Sequence, residues 1–362
     1  MKYKLFFLLF SICLVVSVGL ANNLFPQAER DSDYDKAFFR TSGWSGADGT
    51  FSVPLSDGRT VWLFGDTFIG DVSPCGKRAE GTVIVNSTIA IQKGTDPSTV
   101  EFFYGGTPEK PDSLFKPPDG RGWFWIQDAI PDRGDGKIIV FLAQIETFGE
   151  GIFGFRQCGS WTVELSIKDT DITVENYSKL SCFQMGDKEK PTTGFGAAVM
   201  AEKDWTLIYG TADYGSTKDL VLARIPSGTL PADVAWEFYT GNGWSKNMED
   251  GVVICKGVSN ELSVHRDSKG KYLLTTQKES ISSDIVIFFS STPEGPWESP
   301  LVVWHMSEAD EKIFVYNPKA HPELSDEKKG LLISYNVNSF IFEDLYSDSG
   351  IYRPRFIRVH LP

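Results

Sequence analysis

Residues 43–68 read GWSGADGTFSVPLSDGRTVWLFGDTF. Around Asp57-Gly58 this is a strand, a polar turn and a second strand, FSVPL before the turn and TVWLF after it. Asp-Gly flanked by apolar runs is a strong short-range hairpin signal. The pattern recurs in AIPDRGDGKIIVFLAQI from Ala129, AAVMAEKDWTLIYGTAD from Ala197, LSVHRDSKGKYLLTTQK from Leu262 and HPELSDEKKGLLISYNV from His321. The units are spaced by roughly 60–75 residues, longer than the shortest propeller repeats. Each is followed by one or two further strand-like runs. A lone hairpin cannot bury its apolar face, whereas a ring of packed sheets can. The sequence therefore predicts an all-β chain, a single five-bladed β-propeller over residues 22–362. No segment between the repeats reads as a linker. The stretch near Ala37–Gly43 is expected to close the ring against the last blade. A large β-sandwich or jelly roll is the alternative, but it would not require five similar hairpins.

The 362 residues include ten Trp and 26 Phe, so a sizeable core is easily built. Lys2 and Lys4 precede an apolar run from Leu5 to Leu20, and Gly19-Leu20-Ala21 offers a small-residue cleavage site. Residues 1–21 thus read as a signal peptide, and a secreted or periplasmic protein is expected. The net charge is −13, and loss of the two leader lysines makes it about −15. Such a chain repels nucleic acid and anionic lipid, and a neutral or cationic ligand suits it better. Past the leader, Cys75, Cys158, Cys182 and Cys255 form no C-x-x-C, so zinc is not indicated. If export brings a disulfide, Cys158 with Cys182 is the expected pair. Asn86-Ser87-Thr88 and Asn176-Tyr177-Ser178 are formal glycosylation sequons.

Several chemistries lack their local signatures. The four histidines, His265, His305, His321 and His360, form no H-E-x-x-H, and there is no G-x-S-x-G elbow, P-loop or Rossmann fingerprint. Carboxylates are more informative. In a propeller the first strand of each repeat lines the central channel, and residues opening those strands converge on one pocket. Those openings hold Asp48, Asp128, the Gly194–Gly196 segment, Glu261 and His321, while Asp66 ends the second strand of the first hairpin. Two carboxyls in a shared pocket are what glycoside hydrolysis needs: one protonates the leaving oxygen, the other activates water or attacks the sugar. Crowded like charges also separate the pKa values of such groups. The bland alternatives are turn roles for Asp48 beside Gly49 and for Asp66 beside Thr67, and a packed core role for His321. Trp44, Phe68, Trp123, Trp125 and Trp244 lie in loops or near strand ends, where flat apolar faces stack on sugar rings. For any one of them, packing between blades is the competing explanation. Acids and carbonyls converging on a channel are the ligand type Ca²⁺ takes, but no ligand spacing marks such a site and no cofactor is expected.

The segments GWSGADGT, WLFGDTF, GVSNELSV, SSTPEGPW, HPELS with ISYNVNSF, and YRPRFIRVHLP resemble a secreted bacterial group. It is catalogued as domain-of-unknown-function family 5005, with family 4185 as a relative. The resemblance spans nearly the whole chain past the leader. It implies a five-bladed propeller with glycoside hydrolase activity. Members of the relative family act as endo-D-arabinanases with two blade-one aspartates as key acids, and the G-x-D-G and F-G-D-T matches place these at Asp48 and Asp66. In the broader arabinanase-type propellers a glutamate on a later inner strand is the general acid, which by position implies Glu261. The S-x-T-P-x-G-P-W run from Ser290 looks like an outer-strand feature of arabinanase and fructosidase propellers.

The expectation is a monomeric glycoside hydrolase, arabinan- or furanoside-directed. Asp48, Asp66 and Glu261 are its acids, and Asp128, Trp44, Trp125, His321 and Asn336 hold its carbohydrate substrate. The rival readings are a non-catalytic carbohydrate-binding propeller and, more weakly, an extracellular scaffold that uses its acidic surface.

Overall fold

The computed structural model describes residues 26–131, 134, 136–326 and 328–361. The expected leader lies outside them. Among the described residues, α-helix is confined to Ser32–Ala37 and Asp344–Ser347, and nearly all other regular structure is strand.

All five hairpins of the sequence pattern form, and each opens an antiparallel sheet. The first sheet orders Phe51–Pro54, Arg59–Phe64, Thr88–Lys93 and Glu101–Phe103. The second orders Trp123–Ile130, Lys137–Thr147, Phe155–Lys168 and Asp171–Lys179. The third begins Thr192–Ala201, Trp205–Asp213, Lys218–Pro226, and the fourth orders Leu262–Arg266, Tyr272–Gln277, Asp284–Ser290 and Leu301–His305. The fifth orders Ile313–Asp326, Gly330–Ser339, Pro354–His360 and, as its outer strand, Gln27–Arg30.

The N-terminal strand therefore does join the last sheet, but through Gln27–Arg30, with Gln27 opposite His360, and not through 37–43. Asp31 explains the displacement. Its carboxylate caps the helix Ser32–Ala37 by accepting from the amides of Asp33 and Tyr34, which turns the chain away from the sheet before position 37.

The first strands pack against one another in cyclic order, from Phe51–Pro54 through the second, third and fourth sheets to Ile313–Asp326 and back to Phe51–Pro54. The apolar clusters follow the same cycle. One lies between the first and second sheets (Val61, Leu63, Phe124, Val140) and the next between the second and third (Phe141, Phe195, Ile208). The series continues between the third and fourth (Leu207, Tyr209, Leu274) and between the fourth and fifth (Ile285, Ile287, Ile333). The last, between the fifth and first, holds Leu332, Phe356, Trp62 and Phe64. Each sheet is thus covered on both faces, which is why TVWLF reads as a continuous apolar run: Val61 and Leu63 point to one neighbour, Trp62 and Phe64 to the other.

Three first strands carry register shifts, at Ile126/Ala129, Phe195/Ala198 and Tyr316/Lys319. Such bulges re-aim side chains. The described cysteines are all free, with Cys158 and Cys182 buried separately, so the expected disulfide does not form.

Candidate active site

The site is built at the end of the first strands opposite the Asp57-Gly58 turn. Trp44–Ala47 pairs with Thr67–Ile69, and this small sheet brings Asp48 beside Asp66. Asp48 N–H donates to the Asp66 carbonyl at 3.2 Å, and Gly65 N–H donates to the Asp48 carbonyl at 2.9 Å. Gly65 leaves room for the acid: a Cβ at that position would stand 2.7 Å from Asp48 Oδ1, so Asp48 would have to shift.

Each aspartate has one oxygen fixed by two donors. Asp48 Oδ2 accepts from Tyr316 Oη at 2.8 Å and Tyr352 Oη at 2.9 Å. Asn338 Nδ2 donates in turn to Tyr316 Oη at 3.1 Å. Asp66 Oδ1 accepts from Asn86 Nδ2 and from Trp125 Nε1, both at 2.9 Å. Glu261, at the start of the fourth sheet, lies against the same loop: its Oε1 would stand 3.7 Å from a Cβ at Gly49. Its Oε2 is buried without a hydrogen-bond partner and lies 3.9 Å from Lys319 Nζ.

The electrostatics follow from this crowding. Burial pushes Asp48 well above the usual carboxylate range and the charges of Asp66 and Glu261 push it further, against the two tyrosine hydrogen bonds. Burial also raises Asp66, opposed by Asn86 and Trp125. Glu261 is pushed up to about 7 by burial, with Lys319 opposing. Lys319 itself is lowered to about 8 by burial, and Glu261 and Asp128 resist that fall. Burial thus raises all three carboxyls, and environments that push the pKa values of neighbouring carboxyls apart are what paired acid and base catalysis uses.

The other expected site residues divide. Trp125 belongs to the site, as a brace on Asp66. Asp128 is raised to about 6 by burial, but its oxygens accept from the amides of Ala129 and Val199, so it ties the second sheet to the third. Three assignments are corrected. Trp44 is buried and stacked on Phe102 at 4.4 Å, a core residue whose face no sugar reaches. His321 is fully buried between Ser52 Oγ at 2.6 Å and Ser334 Oγ at 2.8 Å, against the Trp62 ring. Asn336 is also buried, and its Nδ2 donates to the Ala47 carbonyl, which holds the strand leading into Asp48.

Tyr316, Tyr352, Asn338 and Lys319 escaped the sequence reading, and Asn86 entered it only as a sequon. Lys319 left a signal. A lone lysine in FVYNPKAHPEL, inside a strand buried on both sides, needs a partner. Nothing local marked the two tyrosines among twelve. Among the described residues no group of three or more His, Cys, Asp or Glu side chains is placed to hold a metal ion.

Residues 31–361 match the model of a family described as domain of unknown function (DUF5005). No curated protein matches the chain. Among solved structures, a candidate hydrolase from Bacteroides ovatus superposes with a TM-score of 0.74 at 20% identity, covering 93% of this chain and 91% of that one. The α-L-arabinofuranosidase PaAbf62A from Podospora anserina gives 0.51 at 11% identity, covering 88% and 92%. Levansucrase from Bacillus subtilis gives 0.50 at 13%, covering 92% and 90%. At these identities the likeness is one of fold.

Proposed function

Taking as premise that this chain belongs to the DUF5005 family, as the match over residues 31–361 shows, we propose that it is a glycoside hydrolase on a five-bladed β-propeller. Asp48, Asp66 and Glu261 are its working acids. The observation that carries this reading is the cluster itself: two adjacent aspartates, each with one oxygen held by two donors, and a glutamate whose charge reaches Asp48.

The roles follow from the partners. Asp66 accepts two N–H bonds, which favour the carboxylate against the burial that raises its proton affinity, and the role assigned to it is base or nucleophile. Glu261 is the proton donor, with one oxygen unpartnered and its affinity for a proton raised to about 7. Asp48 is the third acid of the cluster, and the charges of Asp66 and Glu261 add to burial in raising its own proton affinity. The protonated acid delivers its proton to the leaving glycosidic oxygen while Asp66 supports attack at the sugar carbon.

The substrate proposed is a neutral, furanoside-containing glycan such as an arabinan, met outside the cytoplasm. The arabinofuranosidase among the structural relatives supports that direction, as does the kinship with family 4185 that the sequence motifs imply. The test is reducing-end release from plant and bacterial arabinans by wild type, Asp48→Asn, Asp66→Asn and Glu261→Gln, each checked for folding. Loss of turnover in the variants is expected. Wild-type rates in all three folded variants would refute the assignment. Glycan binding without turnover in the wild type would favour the binding-module reading.

A further inference from the structure

Lys319 is only 2% exposed, yet it has no direct carboxylate hydrogen bond. Its Nζ donates to the Leu262 carbonyl at 3.0 Å and stands 3.5 Å from the centre of the Phe51 ring. Three sheets therefore hold this one ammonium: the fifth carries it, the fourth accepts its hydrogen bond and the first supplies a π face. Burying an ammonium is costly, and one carbonyl with one aromatic face compensates only part of that cost. Replacing it with a well-packed apolar side chain would be the cheaper way to fill the space.

What the arrangement achieves is a fixed charge beside the acids. Glu261 Oε2 lies 3.9 Å away, close enough to feel the charge yet without sharing a proton through a hydrogen bond. The Tyr316/Lys319 bulge sits between the residue that touches Asp48 and the one that faces Glu261, so a single strand serves both acids. We infer that Lys319 is a positioning residue of the acid cluster, a buried fixed charge that keeps Glu261 able to surrender its proton.

The neighbouring groups support this from every side. Among the described residues, Lys319 is the charge that opposes the effect of burial on Glu261. The carboxylates acting on Lys319 are Glu261 from the fourth sheet and Asp128 from the second. Asp48 and Tyr316 lie within the charge field of Glu261 on its other side. His321, on the same strand as Lys319, stays neutral because burial and the charges of Lys319 and Arg358 disfavour its proton. The inference rests on the hydrolase reading for what the proton does, but not for where it sits.

The experiment is a carbon-13 titration of side-chain carboxyls in glutamate-labelled protein, with the Glu261 signal assigned by its loss in Glu261→Gln. In Lys319→Met the Glu261 midpoint should rise by about one pH unit or more, the size expected when an opposite charge is removed. Lys319→Arg should restore it. If Lys319→Met does not fold, the reciprocal measurement serves: nitrogen-15 titration of Lys319 Nζ should move to lower pH in Glu261→Gln. A Glu261 midpoint unchanged in folded Lys319→Met, or a Lys319 signal unmoved in Glu261→Gln, overturns the inference. The expected shifts in a protein that cleaves no glycan would uphold it and count against the hydrolase reading alone.

Discussion

Tyr352 donates its hydroxyl to Oδ2 of Asp48 at 2.9 Å across a sequence separation of 304 residues. The segment before the last strand thus completes a site that the first hairpin opens. Tyr316 donates to the same oxygen. Both bonds favour the ionised form of Asp48 and oppose its burial. Tyr316→Phe and Tyr352→Phe should each raise the proton affinity of Asp48, and the double variant more than either. A hydrogen bond to a charged group contributes about 1.5–3 kcal/mol, so each removal should shift the ionisation by about one pH unit or more. The pH–rate profiles of the single and double variants measure it; coincident profiles would show that Asp48 does not titrate in the rate-limiting step.

Trp125 holds Asp66 through a single indole N–H. Trp125→Phe keeps an aromatic ring against Phe155 while removing that donor together with one ring of the indole. Turnover per folded molecule should fall by about 10- to 100-fold. Asp66→Asn, which removes the proposed base, should lower it by about 10²–10⁴-fold. Equal rates for wild type and Trp125→Phe would separate Asp66 from the chemistry.

His321 provides the contrast. It bridges Ser52 and Ser334 in the core and touches none of the three acids by hydrogen bond. His321→Ala leaves the buried Ser334 hydroxyl and the half-buried Ser52 hydroxyl without this partner and opens a cavity, a loss of about 3 kcal/mol. Denaturant unfolding should show that loss, while kcat per folded molecule stays at the wild-type value. A fall in kcat with stability intact would return His321 to the site.

Stability should depend on pH through Glu261. Its folded-state proton affinity, about 7, lies above the ordinary value of 4.5. A group raised in this way contributes stability that is fully present below about 4.5 and lost as the pH rises through about 7. The decline over that window is about 3 kcal/mol for this one group. Glu261→Gln should flatten the fall between these pH values by a similar amount in chemical denaturation. An unchanged slope would mean that Glu261 ionises as freely folded as unfolded.

The cysteines make a simpler case. Cys75, Cys158, Cys182 and Cys255 are all free. A thiol reductant should leave the melting temperature of a protein spanning residues 26–361 unchanged, as differential scanning measures; a downward shift would reveal a cross-link.

Much of the fold was legible because its signals are local. Asp57-Gly58 needs no partner to be a hairpin turn: Gly58 takes φ +87° and Asp57 accepts from the Arg59 amide at 3.0 Å, both within the turn. Asp48, Asp66 and Glu261 were singled out for a related reason. Each flanks a strand of its hairpin, and repetition places strand ends together. Trp44, His321 and Asn336 were misplaced because a strand covered on both faces gives no periodicity to say which side a residue serves. Closure by Gln27–Arg30 was likewise missed, since the helix cap at Asp31 set where the strand had to stop.

The sequence by itself determined the strands, the turns, their repetition and which carboxylates stand at the strand ends, because period-two patterning and turn chemistry act over a few residues. Only the tertiary structure decided what surrounds those carboxylates. Tyr316 and Tyr352 on Asp48, Asn86 and Trp125 on Asp66, and Lys319 beside Glu261 come from distant parts of the chain. Proton affinity depends on burial and on charges a few ångströms away, and those distances exist only once the sheets have packed against one another.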